Sequence, residues 1–340
     1  MKNEHRLMKR VLAGVLLLAC LGIVRGEPTE DERFRKSFDE AIDRGLEFLR
    51  LNQQANGSWE NHAGITSLGV MAFMAKGYGP GLSPYGETMN RGIDFILGLP
   101  TKEGYITLGG GGMYTHCMTT LMLSEVSGMV DPERQERIDR MLAGALGVIL
   151  SAQNVSKSAN MQGGWRYEPR AADSDISLSG WAFMALRAAR NSATPVPREA
   201  IDRGLAFIRR CNSPDGGFAY TPGSGSGTAR TGVGLLCLEL GGAHRSPETL
   251  KAGQYLLKKG LKDGHFYYSA YYTAQGMFQL GEAEWDEYAP KFYEEMLALQ
   301  TAEGSWRGLG GDGGTGPGYR TAMAILALSV SYRQLPIYQR

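Results

Sequence analysis

Two aspartates one residue apart, in Asp173-Ser174-Asp175-Ile176-Ser177, are the strongest chemical signal in the chain. Neighbouring carboxylates disfavour each other's charge, and burial can hold a proton on one of them near neutral pH. The same residues are favoured caps for a helix N-terminus. His116 and Cys117, with Asp175 on the next repeat, are zinc-ligand types, but they do not make up a full ligand set and no cofactor is assigned. A hydrogen-bonded histidine in a cavity wall is the plainer use of His116. Arg230 and Arg320 each precede a threonine and follow a glycine-rich loop, GSGSGTA at 223–229 and GDGGTGPG at 311–318. Two guanidiniums at one mouth would grip a phosphate or carboxylate; equally, each would tie down its own loop. Neither run has the lysine or the strand of a P-loop, so nucleotide binding is not supported. His265, Tyr267, Tyr268, Tyr271 and Tyr272 form an aromatic cluster, and Trp181 joins them as a cavity candidate. Aromatic faces stabilise cations, stack on sugars, or simply pack.

These residues recur in a repeating frame. Six segments, at 38–53, 86–100, 135–153, 198–212, 246–260 and 288–300, carry apolar residues at i, i+3, i+4 and i+7 with charges opposite. That pattern predicts helices with one wet face. Between them lie six nearly uncharged segments, at 65–75, 116–126, 176–186, 230–240, 272–281 and 320–330, as expected of helices buried on both sides. A repeat of roughly fifty residues makes six helical hairpins, and two concentric rings satisfy both burial patterns. An open solenoid would expose the uncharged helices. The expected fold is therefore all-α: a six-plus-six α/α toroid. Its inner-helix starts ring one mouth, which places Thr66, His116, Asp173, Asp175, Arg230, Tyr272 and Arg320 there by register.

At the hairpin joints, Gln53, Gly57 and Trp59 spell QxxxGxW, as do Gln300, Gly304 and Trp306. Looser copies occur at Gln153 with Gly164-Trp165, at Asp215-Gly216-Gly217-Phe218, at Glu103-Gly104-Tyr105 and at Asp263-Gly264-His265-Phe266. A polar side chain that bonds orphan backbone groups, a glycine that reverses the chain and a ring that covers the joint make a staple, not a catalytic group. This motif resembles the QW motif of squalene-hopene and oxidosqualene cyclases, whose repeats are related to those of protein prenyltransferase β-subunits. The resemblance runs from about residue 38 to 330 and implies a single helical barrel with a central cavity. Within it, Asp173 to Ser177 resembles the DxDD(T) motif of class II cyclases. The match implies that Asp175 is a proton donor supported by Asp173, although Ile176 stands where the third aspartate would be. His116 resembles the zinc-binding histidine of the prenyltransferases, without the Asp and Cys that accompany it there.

The N-terminus is basic and runs into the apolar stretch Val11 to Val24, the pattern of a signal peptide rather than of a membrane span. Cleavage is expected after Gly26, giving a signal peptide at 1–26, a linker at 27–37, the toroid at 38–333 and a tail at 334–340. A loose lipobox would instead anchor the chain through Cys20; either route exports it to the periplasm or beyond, with no transmembrane helix in the mature chain. Cys117, Cys211 and Cys237 are unpaired in spacing and read as buried. With 36 basic and 35 acidic residues, nothing points to nucleic acid. The function read here is binding or processing of a hydrophobic isoprenoid-like ligand. Any turnover would be terpene cyclase-like or prenyltransferase-like. The alternatives are a polysaccharide-active barrel using Asp173, Asp175 and Asp312, and a non-catalytic barrel that presents its loops to a protein partner.

Overall fold

The structure, a computed structural model, describes residues 30–81, 84–261 and 264–339. The stretch expected as a signal peptide, Cys20 and Asp263 of the fifth joint lie outside these residues. Twelve α-helices occur among the described residues. The outer set is α1 (Glu30–Leu51), α3 (Gly86–Leu97), α5 (Pro132–Gln153), α7 (Arg198–Arg210), α9 (Pro247–Lys259) and α11 (Glu282–Ala298). The inner set is α2 (Ala63–Ala75), α4 (Met113–Val126), α6 (Ile176–Asn191), α8 (Thr228–Leu240), α10 (Phe266–Leu280) and α12 (Pro317–Leu328). Each inner helix packs on the inner helices before and after it, and α12 packs on α2, so the ring closes. Among the described residues the strands are a two-residue ribbon, β1 (Phe218–Ala219) with β2 (Ser226–Gly227).

Local chemistry starts the outer helices. Asp131 and Ser246 accept from the backbone N–H groups of Arg134 and Thr249, and each is followed by a proline at the first helical position. Helix α1 begins at Glu30, inside the stretch expected as linker, and Phe34 anchors its first turns by stacking on Tyr293 of α11 at 5.4 Å.

At three of the joints a Gln, a Gly and a Trp fasten one hairpin to the next. The Gln53 amide donates to the carbonyls of Gly57 (2.8 Å) and Thr88 on α3 (2.9 Å). Gln153 does the same to Gly163 and Ala200 on α7, and Gln300 to Gly304 and Ala41 on α1. Trp59, Trp165 and Trp306 are fully buried, and each indole N–H donates to a carbonyl near the end of the preceding outer helix, at Leu49, Ile149 and Met296. The glycine is obligatory. Gly304 has φ of +92°, and a Cβ there would lie 2.4 Å from the Arg44 carbonyl oxygen. The sixth staple thus fastens the last hairpin to the first. Glu60 adds a second clasp at this seam by accepting from the Gly318 N–H at the start of α12 (2.7 Å).

The segment expected as a tail packs into the barrel end where the inner helices finish. Leu335, Ile337 and Tyr338 are buried. The Tyr338 hydroxyl meets that of Tyr271, its carbonyl accepts from Gln279, and the Ile337 N–H donates to Glu125. No helix among the described residues is long and apolar enough to cross a membrane.

Candidate functional site

At the opposite end, where the inner helices begin, a cavity of about 560 Å³ opens. All six hairpins contribute to its wall. Ile65 and Leu68 come from α2, Tyr114, Thr115 and Met118 from α4, and Ser177 from α6, with Tyr268 from α10 and Tyr319 from α12. Tyr167 and Tyr220 enter from the loops before α6 and α8, and His62 and His265 from the starts of α2 and α10. No carboxylate lines it.

Three of the five phenols have hydrogen-bond partners. The Tyr167 and Tyr220 hydroxyls bond each other, and Tyr268 donates to the Ser177 carbonyl (3.3 Å). Their ring faces are thereby left as the available surface. His62 caps α2, its Nδ1 accepting from the Gly64 and Ile65 N–H groups at 3.1 and 3.3 Å, which puts the ring proton on Nε2. Burial lowers its pKa, so it stays neutral at neutral pH. His265 lies 3.5 Å from the buried Asp312 carboxylate, which also accepts from the Tyr267 N–H. Of this pair, His265 lines the cavity and Asp312 stands behind it.

Asp175 is fully buried and does not line the cavity. One oxygen caps α6 by accepting from the Leu178 N–H (2.9 Å), and the other meets Arg166 at 3.2 Å. Burial raises its pKa, while the capping bond and Arg166 pull the other way. Arg166 also pairs with Asp173 (3.3 Å), donates to the Tyr220 hydroxyl (3.0 Å) and lies over the Tyr167 and Tyr220 rings. Asp173 and Asp175 are therefore brought together, and Arg166 connects them to the cavity wall.

The other candidates hold the frame. Arg320 donates to the carbonyls of Trp306 and Thr315, and Arg230 to that of Ser226, so both tie their own loops. Tyr272 and Trp181 are fully buried: Trp181 stacks on Tyr271, Tyr272 meets both rings edge-on and lies against Tyr268, and the Tyr272 hydroxyl and Trp181 indole N–H have no hydrogen-bond partner. His116 is buried too, with Nδ1 accepting from the Ile106 N–H (3.2 Å) and Nε2 donating to the Ala145 carbonyl (3.0 Å). It occupies the structural place of Thr66, Ser179 and Thr231, whose hydroxyls accept from the N–H groups of Trp59, Trp165 and Phe218. His116, Cys117 and Asp175 form no metal-binding group, and none of three or more His, Cys, Asp or Glu occurs among the described residues.

A pH prediction follows for His116, whose pKa burial lowers to about 4. The native ring stays neutral while the unfolded one, near 6.5, takes up a proton as pH falls. Its contribution is complete above the unfolded value and is lost on acidification. Between about pH 7.5 and 5 the loss is about 2 kcal/mol. His116→Thr, which rebuilds the Thr66 arrangement, is expected to remove that slope. Denaturant melts of both proteins across this range check it by difference. The difference cancels the opposing effect of Glu125, whose carboxyl burial pushes up to about 8.

Sequence reasoning weighted the charged residues and missed Tyr114, Tyr167, Tyr220, Tyr319 and His62. Tyr114, Tyr268 and Tyr319 fall second or third in their inner helices, where Ile65 also sits, and that recurrence was the available signal.

No protein-family model matches the chain, and no curated protein matches it. Solved structures do. Cellobiose 2-epimerase from Spirochaeta thermophila superposes with a TM-score of 0.67 at 12% identity, covering 90% of this chain and 99% of that one. An α-1,6-mannanase of Salegentibacter, in complex with α-1,6-mannotriose, gives 0.63 at 11% identity over 87% and 99%. The type II terpene cyclase MstE from Scytonema gives 0.56 at 15% identity over 88% and 100%. Likeness at this level of identity is likeness of fold. The chain accordingly carries an α/α toroid of the kind found in terpenoid cyclases, and shares it with sugar-active barrels.

Proposed function

We propose that the cavity binds a hydrophobic, unsaturated ligand of isoprenoid type. The observation that carries this reading is a wall of five tyrosine faces with Ile65, Leu68 and Met118 and no carboxylate. A volume of about 560 Å³ suits a small molecule, which typically needs roughly 300–1,000 Å³. Faces of π-electron density attract polarisable or cationic carbon, whereas glycoside hydrolysis needs a pair of carboxylates at the sugar. Substrate complexes of MstE with geranylgeranyl dihydroxybenzoate, on the same fold, support the ligand class. For turnover, Asp175 is the acid we assign. Its proton passes through the Tyr220 hydroxyl, which hydrogen-bonds the carboxyl and lies on the cavity wall, taking up one proton as it gives its own to the ligand. Arg166 keeps its protons and, with Asp173 beside it, holds the carboxylate left behind.

A sugar is the second reading. It is favoured by the His265–Asp312 couple and by the higher TM-scores of the epimerase and mannanase. Titration of the purified protein with farnesol, geranylgeraniol, cellobiose and α-1,6-mannotriose, followed by tyrosine fluorescence and native mass spectrometry, separates the two. Micromolar binding of the isoprenoid alcohols alone is expected. Binding of the sugars alone would overturn the first reading. Asp175→Asn keeps a competent helix cap and is expected to change isoprenoid affinity by less than about threefold, while abolishing any product formed by the wild type.

A further inference from the structure

A second pocket, of about 570 Å³, lies at the far end of the barrel from the tyrosine cavity. Its wall comes from the ends of α6 (Arg187, Arg190) and α8 (Glu239, with His244 just after it), the start of α7 (Arg198, Asp202) and the C-terminal segment. Three arginines and a histidine face two carboxylates. Those carboxylates are already engaged. Glu239 pairs with His244 Nδ1 at 2.6 Å and accepts from the Arg245 N–H, and Asp202 pairs with Arg198 at 3.7 Å.

Arg187 and Arg190 take part in none of these pairs. Arg187 is half-buried, its Nε is shielded from solvent, and that atom has no hydrogen-bond partner. Burial, and after it the like charge of Arg190, lowers the Arg187 pKa from its ordinary value. A guanidinium that has lost water, gained no carboxylate and sits beside another cation is costly to keep. One inserted oxyanion would supply the missing acceptor and neutralise the repulsion, with the planar bidentate geometry that arginine favours.

We propose that this pocket is an oxyanion-binding site of the phosphate class, with Arg187 and Arg190 as its ligands and Arg198 at its rim. The site is independent of the tyrosine cavity, and its occupant is either a free phosphate or the phosphate of an anionic lipid headgroup. Because Ile337 and Gln339 form part of its wall, occupancy also ties the C-terminal segment to the barrel end.

The test uses the whole chain. Inorganic phosphate is titrated at constant ionic strength, with sodium chloride as the balancing salt, and followed by thermal shift and phosphorus NMR line width. Binding in the millimolar range or tighter is expected, with melting temperature rising with the logarithm of phosphate concentration. Arg190→Gln, at an exposed position, is expected to weaken it about tenfold or more, as is Arg187→Gln. Arg190→Gln keeps the test decisive should Arg187→Gln fold poorly. Co-sedimentation with phosphatidylcholine vesicles, with and without phosphatidylglycerol, is the second arm. Phosphatidylglycerol-dependent sedimentation that Arg190→Gln abolishes identifies the lipid as the source, and phosphate binding without sedimentation identifies the free ion. Equal behaviour of wild type and both variants in both arms overturns the proposal.

Discussion

Replacing Trp306 by alanine is expected to destabilise the protein by about 3–5 kcal/mol, the range for a fully buried Trp whose site cannot collapse. Against a total stability on the order of 5–15 kcal/mol this is a large fraction. Two contacts are lost together, at the place where α1 and α12 meet. The ring presses on Gly45 of α1, where an added Cβ would lie 2.8 Å from it and 3.0 Å from Ile325 of α12. Its indole N–H also satisfies the Met296 carbonyl at the end of α11. Because α1 and α12 belong to opposite ends of the chain, the cavity opens the seam of the ring. Hydrogen exchange should therefore accelerate in α1, α11 and α12 together. Trp59→Ala, chemically identical, removes a ring at the junction of the first two hairpins and should loosen α1, α2 and α3 instead. Exchange that rises in α11 and α12 while α1 stays protected would contradict a ring closed by this staple.

The contrast between the two tryptophans also explains what could be read from the chain. The staple was legible because its three roles demand three residue types within seven positions: an amide with donor and acceptor, a glycine at positive φ, and an indole that reaches back one helix. Trp59 and Trp306 fix the joints they occupy, and the uncharged inner segments then leave few arrangements other than two rings. The site was less legible because side-chain destination depends on register, and the loops differ in length from hairpin to hairpin. His116 stands where Thr66 stands and takes the same N–H bond, so a residue chosen for its chemistry turned out to carry a backbone acceptor's role. Arg230 and Arg320 took the loop-tying alternative, because glycine-rich loops lack side chains to hold themselves. Asp175 took the capping alternative and kept Arg166 as well, which leaves its acid role to experiment. The tyrosines that form the cavity come from hairpins dozens of residues apart: Tyr114, Tyr268 and Tyr319 share only a place at the inner-helix starts, and Tyr167 and Tyr220 sit in loops with no such mark.

Met118→Trp is expected to weaken isoprenoid binding by at least about 100-fold, or ~2.7 kcal/mol, with the melting temperature unchanged or raised. Met118 lies in the second turn of α4 and faces the cavity with little exposure, so a larger ring there has only the cavity to enter. Filling a void with apolar surface does not cost stability unless neighbouring rotamers must move, and methionine's flexible packing makes that adjustment small. The ligand, however, loses the volume it needs. The wall has few polar groups to spare: Tyr167, Tyr220 and Tyr268 spend their hydroxyls on one another and on the Ser177 carbonyl. A sugar entering this wall would surrender its own hydration for few new hydrogen bonds, while an isoprenoid chain surrenders none. Calorimetric titration of wild type and variant with geranylgeraniol checks the prediction. An unchanged affinity would place the ligand outside the cavity. A lost affinity with an intact melting curve would assign the binding energy to the space that the five tyrosines enclose.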